Sequence, residues 1–175
     1  GPSIINSVAV TGSDPYLRTG SDVAILFDAK HPTTLSTYIR GKHAAALKAD
    51  PTVKELSGEI EGLAYEGVAS PDRTVCSFVA RSGDVVLVTN SLVQVRRLAE
   101  VRSGKATKLS DLPEYAFMRN RYPLGSGDET AFLMLTDATI RRWCGPRWRI
   151  ANSRRTRAAA QLAQLTAELQ DQMLA

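Results

Sequence analysis

The group in this chain with the most evident reactive potential is a thiol set among arginines. Cys144 stands in Trp143-Cys144-Gly145-Pro146-Arg147, directly after Arg141 and Arg142. Nearby guanidinium groups and a helix N-terminus both stabilise a thiolate, which is the attacking form of cysteine. The surroundings are just as unusual. Residues 140–157, IRRWCGPRWRIANSRRTR, hold seven arginines and two tryptophans, with no lysine and no acid. Such a segment suits one of two tasks. It can hold phosphates or another polyanion, with Arg141, Arg142, Arg149 and Arg157 on the charges and Trp143 or Trp148 stacking on bases. Alternatively, it can clamp the protein's own carboxylates and aromatic rings.

Residues 143–146 resemble the start of the thioredoxin redox motif, WCGPC, but the fifth position is Arg147. Disulfide exchange needs a second thiol to release the mixed disulfide, so the redox reading is incomplete. The helix-boundary reading is simpler: Gly145 ends one helix and Pro146 occupies the first turn of the next. Cys76, the only other cysteine, sits in a strand-like run. Two buried free thiols are the plain reading of the pair, and one disulfide between them is the alternative. Neither a disulfide framework nor zinc spacing is present.

The remaining catalytic templates fail. Ser103-Gly104-Lys105-Ala106 lacks the earlier glycine and the Ser/Thr of a phosphate loop. His31 precedes Pro32 at a helix start, and His43 lies in an alanine-rich helix; both read as surface or capping residues. Glu59 and Glu61 would share one face of an edge strand and read as solvated. No motif calls for a metal or another cofactor.

Helical phase divides the arginines. At 100° per residue, Ala151, Ala158, Leu162, Leu165, Leu169 and Met173 form one stripe. Arg147, Arg154 and Arg155 fall on or beside it, which predicts a structural arginine network, packed against aromatic rings or paired with carboxylates of the body such as Asp22, Asp84, Asp128 or Asp137. Lysine would not replace arginine in such bidentate pairs. Arg141, Arg142, Arg149 and Arg157, with Trp143 and Trp148, stay free to form a polyanion or partner surface. Beyond residue 157 the stripe continues as a short coiled-coil-like pattern. It predicts a helix over 158–175 docked on the domain, with oligomerisation through 158–173 as the alternative.

The elements that must position these groups read as α+β. The chain has 175 residues, 43% hydrophobic and 23% charged, which fits an ordinary globular fold. Its 22 basic residues outnumber 18 acidic ones only because of the arginine segment; without those seven the balance is 15 to 18. No apolar run approaches the roughly 20 residues of a membrane span. Gly1-Pro2 reads as the remnant of a cleaved expression tag, leaving the α+β domain at 3–157. Three stretches, at 21–39, 83–98 and 128–144, each lead an apolar run into a helical pattern. Their runs are apolar at both strand parities, as in strands covered on both faces. Residues 75–80 and 85–88 read as a hairpin across Ser82-Gly83, residues 70–73 as a turn, and residues 59–65 as an edge strand. Helices are predicted at about 33–49, 91–103, 111–121, 138–144 and 147–173. Their caps are expected at Thr33 or Thr34, Asn90 or Ser91, and Thr136 or Asp137. Together these give a mixed, mostly antiparallel sheet of five or six strands with packed helices and a long C-terminal helix.

Residues 89–98 (TNSLVQVRRL), 114–123 (EYAFMRNRYP) and 135–157 resemble a group of uncharacterised bacterial proteins of unknown function. That resemblance covers most of residues 20–165. It implies an α+β extracytoplasmic or accessory domain within a longer bacterial chain, and it supplies no catalytic residues. The sequence thus points to a non-enzymatic interaction or scaffold domain whose partner is a protein or another domain of the same chain. Nucleic-acid or polyanion binding through residues 140–157 is the first alternative. A thiol-dependent enzyme at Cys144 is the second. Nothing in the sequence assigns a compartment.

Overall fold

The computed structural model describes residues 3–12, 22–125, 129–144 and 146–174. The chain forms two compact units, Gly1–Lys108 and Leu109–Ala175. The division falls inside the stretch that the sequence reads as one domain over 3–157.

The first unit is a six-stranded sheet with two helices. In chain order these are β1 (Ile5–Gly12), β2 (Val23–Ala29), α1 (Pro32–Ala49), β3 (Lys54–Ile60), β4 (Leu63–Ala69), β5 (Cys76–Ser82), β6 (Val85–Thr89) and α2 (Leu92–Arg102). The strands lie in the order β1-β2-β6-β5-β4-β3, and every neighbouring pair is antiparallel.

Both faces of this sheet are covered. Ala24, Leu63, Ala80 and Leu87 pack with Val95 and Ala99 of α2. On the other face Ala29, Val79 and Val86 pack with Leu35 of α1. Successive strand residues point to opposite faces, so Val79 and Ala80, like Val86 and Leu87, feed the two cores in turn. This is why the runs at 23–27 and 85–88 are apolar at both parities. The two edges differ. β3 carries Lys54, Glu55 and Glu59, whereas β1 has no charged residue and exposes Val8 and Val10.

Local chemistry sets the turns. β5 and β6 form the expected hairpin, with Ser82 opposite Val85 and Gly83 at φ 61°. Ser70–Arg73 turns as expected, closed by Arg73 N donating to Ser70 O at 3.0 Å. Asp72 accepts from Ser70 Oγ at 2.6 Å and from Thr74 N at 3.1 Å. These bonds, the Ser70 hydroxyl first, hold its carboxyl below the usual value.

Three expectations for this unit need correction. Residues 59–65 are not one strand: β3 ends at Ile60 and β4 begins at Leu63. Glu61 (φ 49°) and Gly62 (φ 75°) form the tight turn between them. α1 is capped by His31, without a side-chain hydrogen bond and with Pro32 in its first turn, rather than by Thr33 or Thr34. His43 is buried, not a surface residue: its Nε2 lies 2.9 Å from Ser77 Oγ. α2 begins as predicted, with Ser91 Oγ accepting from Val93 N at 3.3 Å.

The second unit is helical. A single 3-10 turn (Leu109–Asp111) precedes α3 (Pro113–Arg121), α4 (Asp137–Cys144) and α5 (Pro146–Leu174). α4 starts where predicted, with Thr136 Oγ1 accepting from Thr139 N at 3.3 Å. The apolar run at 131–135 is not a strand. Residues 129–136 belong to no helix or strand, and Phe132 packs edge-on against Tyr115 of α3, with ring centroids 6.2 Å apart. The six strands all come from the first unit.

Candidate interaction surface on the helical unit

α5 is one continuous helix of 29 residues, about 43 Å long at 1.5 Å per residue. It begins at Pro146, directly after the position of Gly145, and α4 ends at Cys144. Gly145, on which the Gly-Pro reading of this boundary rests, lies outside the described residues. The side chains of Arg142, Trp143 and Cys144 lie outside the described residues, so the thiol and stacking roles expected there fall outside them too.

Of the carboxylates expected in the arginine network, Asp22 and Asp84 belong to the sheet unit and Asp128 lies outside the described residues. Arg147, Arg154 and Arg155 are exposed on α5, and none is paired with a described carboxylate of its unit. Asp137 instead pairs with Arg141, whose Nε lies 2.7 Å from Asp137 Oδ2, one helical turn away. That pair is solvent-exposed, with Arg141 80% accessible, and pairs of this kind contribute little to stability. The reason lies in the helix. A guanidinium on a long helix is buried only if another element covers that face, and among the described residues of its unit none does.

Arg149 and Arg157 are exposed as expected, and Trp148 is 41% exposed. The N-terminal part of α5, residues 146–157, therefore presents five arginines and no acid. The C-terminal part presents Leu162 (67% exposed), Leu165 (56%), Leu169 (60%) and Met173 (77%). No described residue of the helical unit covers this stripe. One face of one helix thus changes from basic to apolar along its length. Glu168 and Asp171 are the only charges of the second half, and Gln164 Nε2 donates to Glu168 Oε1 at 2.9 Å.

The type of clamp expected on α5 occurs on α3. Arg119 Nη1 donates to Glu129 Oε1 and Oε2 at 3.1 and 2.9 Å. Its guanidinium carbon lies 3.8 Å from the centre of the Phe132 ring and 5.9 Å from that of Tyr115. The Glu129 carboxylate, with help from Tyr115, favours the charged guanidinium still further. The sequence held one signal for this group: Tyr115 and Arg119 stand four residues apart, on one face of a helix.

The sheet unit has a separate groove of about 590 Å³ on its α1 face. It is lined by Thr33, Ser36, Arg40, Ser57, Glu66 and Arg81, among others. Arg40 is ion-paired with Glu66. Arg81 donates to Thr33 Oγ1 at 3.0 Å and to Gly83 O at 2.9 Å. These charges are already engaged within the protein. The His43–Ser77 contact has the spacing of a base and a nucleophile, but neither residue lines the groove. Burial lowers the His43 pKa, partly opposed by Glu66 and Glu55. No described group hydrogen-bonds the other ring nitrogen, so the orienting partner of a catalytic dyad is missing. Cys76 donates to Asn90 O at 3.2 Å and is a free thiol. Among the described residues, no cluster of three metal-ligating side chains occurs, and no helix is long and apolar enough to cross a membrane.

No family model, curated protein or solved structure matches this chain.

Proposed function

We propose that this chain is a non-enzymatic interaction domain of a larger bacterial protein, in which the sheet unit is the folded body and α5 carries the binding face. The observation behind this reading is the row Leu162, Leu165, Leu169 and Met173, all exposed along one side of a regular helix. An amphipathic helix whose apolar side its own unit leaves open is suited to a groove or to another helix. The bacterial setting rests on the resemblance across residues 20–165. The test is a reporter at the stripe. With Cys76→Ser and Cys144→Ser, Leu165→Cys in dilute chain should react with Ellman's reagent as fast as a free thiol. A rate slower by about tenfold or more would mean that the chain covers its own stripe, and the reading would fall.

A second reading, polyanion binding through residues 140–157, is favoured by the exposure of Arg141, Arg147, Arg149, Arg154, Arg155 and Arg157. Accessible guanidinium groups beside a partly exposed Trp148 suit single-stranded nucleic acid. Binding should weaken steeply with added salt, and Arg149→Glu with Arg157→Glu should weaken it further. Fluorescence anisotropy with a labelled oligonucleotide checks this; no binding at low salt rules it out.

A further inference from the structure

We infer that the occupant of the α5 stripe is α5 of a second copy of this chain, running antiparallel. The inference rests on the reading of α5 as the binding face and names its partner. The charge distribution carries it. Residues 146–157 hold Arg147, Arg149, Arg154, Arg155 and Arg157 and no acid, whereas residues 158–174 hold Glu168 and Asp171 and no base. Two such helices laid parallel put arginine against arginine. Laid antiparallel, each basic half meets the acidic half of its partner.

Side-chain size and helical phase agree. In heptad terms Leu162 and Leu169 occupy one seam position, and Ala151, Ala158 and Leu165 the other. Set antiparallel with Leu162 opposite Ala158 of the other copy, the register also places Leu169 opposite Ala151. Large side chains then face small ones, and the arrangement is reciprocal, as a two-fold interface requires. Glu168 and Arg154 flank the stripe on the same side, 14 residues or two heptads apart. Flanking positions of the same kind meet across an antiparallel pair, so Glu168 of one copy comes within reach of Arg154 of the other. The same register lays the stem of Arg155 against Leu165. Arg154 and Arg155 thereby gain a role between chains.

The seam is short, so association should be in the micromolar range typical of weaker interfaces. Sedimentation equilibrium should show a monomer–dimer equilibrium. Glu168→Arg with Asp171→Arg should weaken it about tenfold or more. Combining those changes with Arg154→Glu and Arg157→Glu in the same chain restores charge complementarity and should recover dimerisation. Orientation is read by cross-linking in the Cys76→Ser/Cys144→Ser background. Chains bearing Asn152→Cys mixed with chains bearing Thr166→Cys should form the mixed disulfide. In a parallel pair those positions lie roughly 21 Å apart, and only like-with-like disulfides should form. A strictly monomeric chain, or like-with-like disulfides alone, overturns the inference. A monomer whose Leu165→Cys reporter is still fully reactive overturns this inference only. A monomer whose reporter is protected overturns the interaction reading as well.

Discussion

The Arg119 guanidinium lies over the Phe132 ring, its central carbon 3.8 Å from the ring centre. One contact therefore fixes the course of residues 129–136, which would otherwise be a free apolar run. Glu129 closes the arrangement from the same segment through two hydrogen bonds to Arg119 Nη1.

Arg119→Lys should damage this arrangement nearly as much as Arg119→Ala. Lysine keeps the charge but loses the planar face that lies over the ring. Near-ultraviolet circular dichroism from Tyr115 and Phe132 should fall in both variants. A lysine variant with the parent spectrum would show that charge alone holds the segment.

Arg154→Ala and Arg155→Ala, each in dilute chain, should change unfolding stability by less than about 0.5 kcal/mol, as for other exposed sites. Thermal melting checks this. A large loss in either variant would mean that the arginine is bound within the chain after all.

Stability of the sheet unit should depend on His43 below neutral pH. The folded-state pKa is depressed from 6.5 by burial, so the folded state holds that proton less tightly than the unfolded chain. The contribution is complete above about pH 6.5 and declines as pH falls through the folded value. Denaturant titrations between pH 5 and 8 should show this slope in the parent and lose it in His43→Gln. An equal slope in both would assign it to other groups.

Leu87→Ala should cost about 2–5 kcal/mol. Leu87 is 1% exposed and sits between the central strand β6 and α2. Chemical denaturation measures the loss. A cost under 1 kcal/mol would mean that the core closes around the missing atoms.

Much of the fold was legible because each rule was local. Ser82-Gly83 set the β5–β6 hairpin, and apolar residues at both strand parities announced a sheet covered on two faces. Two of the misreadings share a cause: a partner distant in sequence decided the outcome. Residues 131–135 have the composition of a strand, yet Arg119 holds Phe132 against α3. The Glu61-Gly62 turn was hidden because glutamate occupies a left-handed position usually given to asparagine or glycine. His43 looked superficial in its alanine-rich helix, and only packing on β5 shows that it is buried. Helical phase puts Arg147, Arg154 and Arg155 on or beside the stripe. Phase identifies a face of a helix, however, and does not say whether another element covers it.

The unequal edges of the sheet bear on how this protein would aggregate. β1 is an uncharged edge strand, paired only with β2 among the described residues, while β3 is guarded by Lys54, Glu55 and Glu59. Edge pairing is blunted by charge and invited by its absence. A stack that grows without limit needs a sticky edge on each side, and this sheet has one. Joining through β1 would stop at two sheets edge to edge, a terminated pair in place of a fibril.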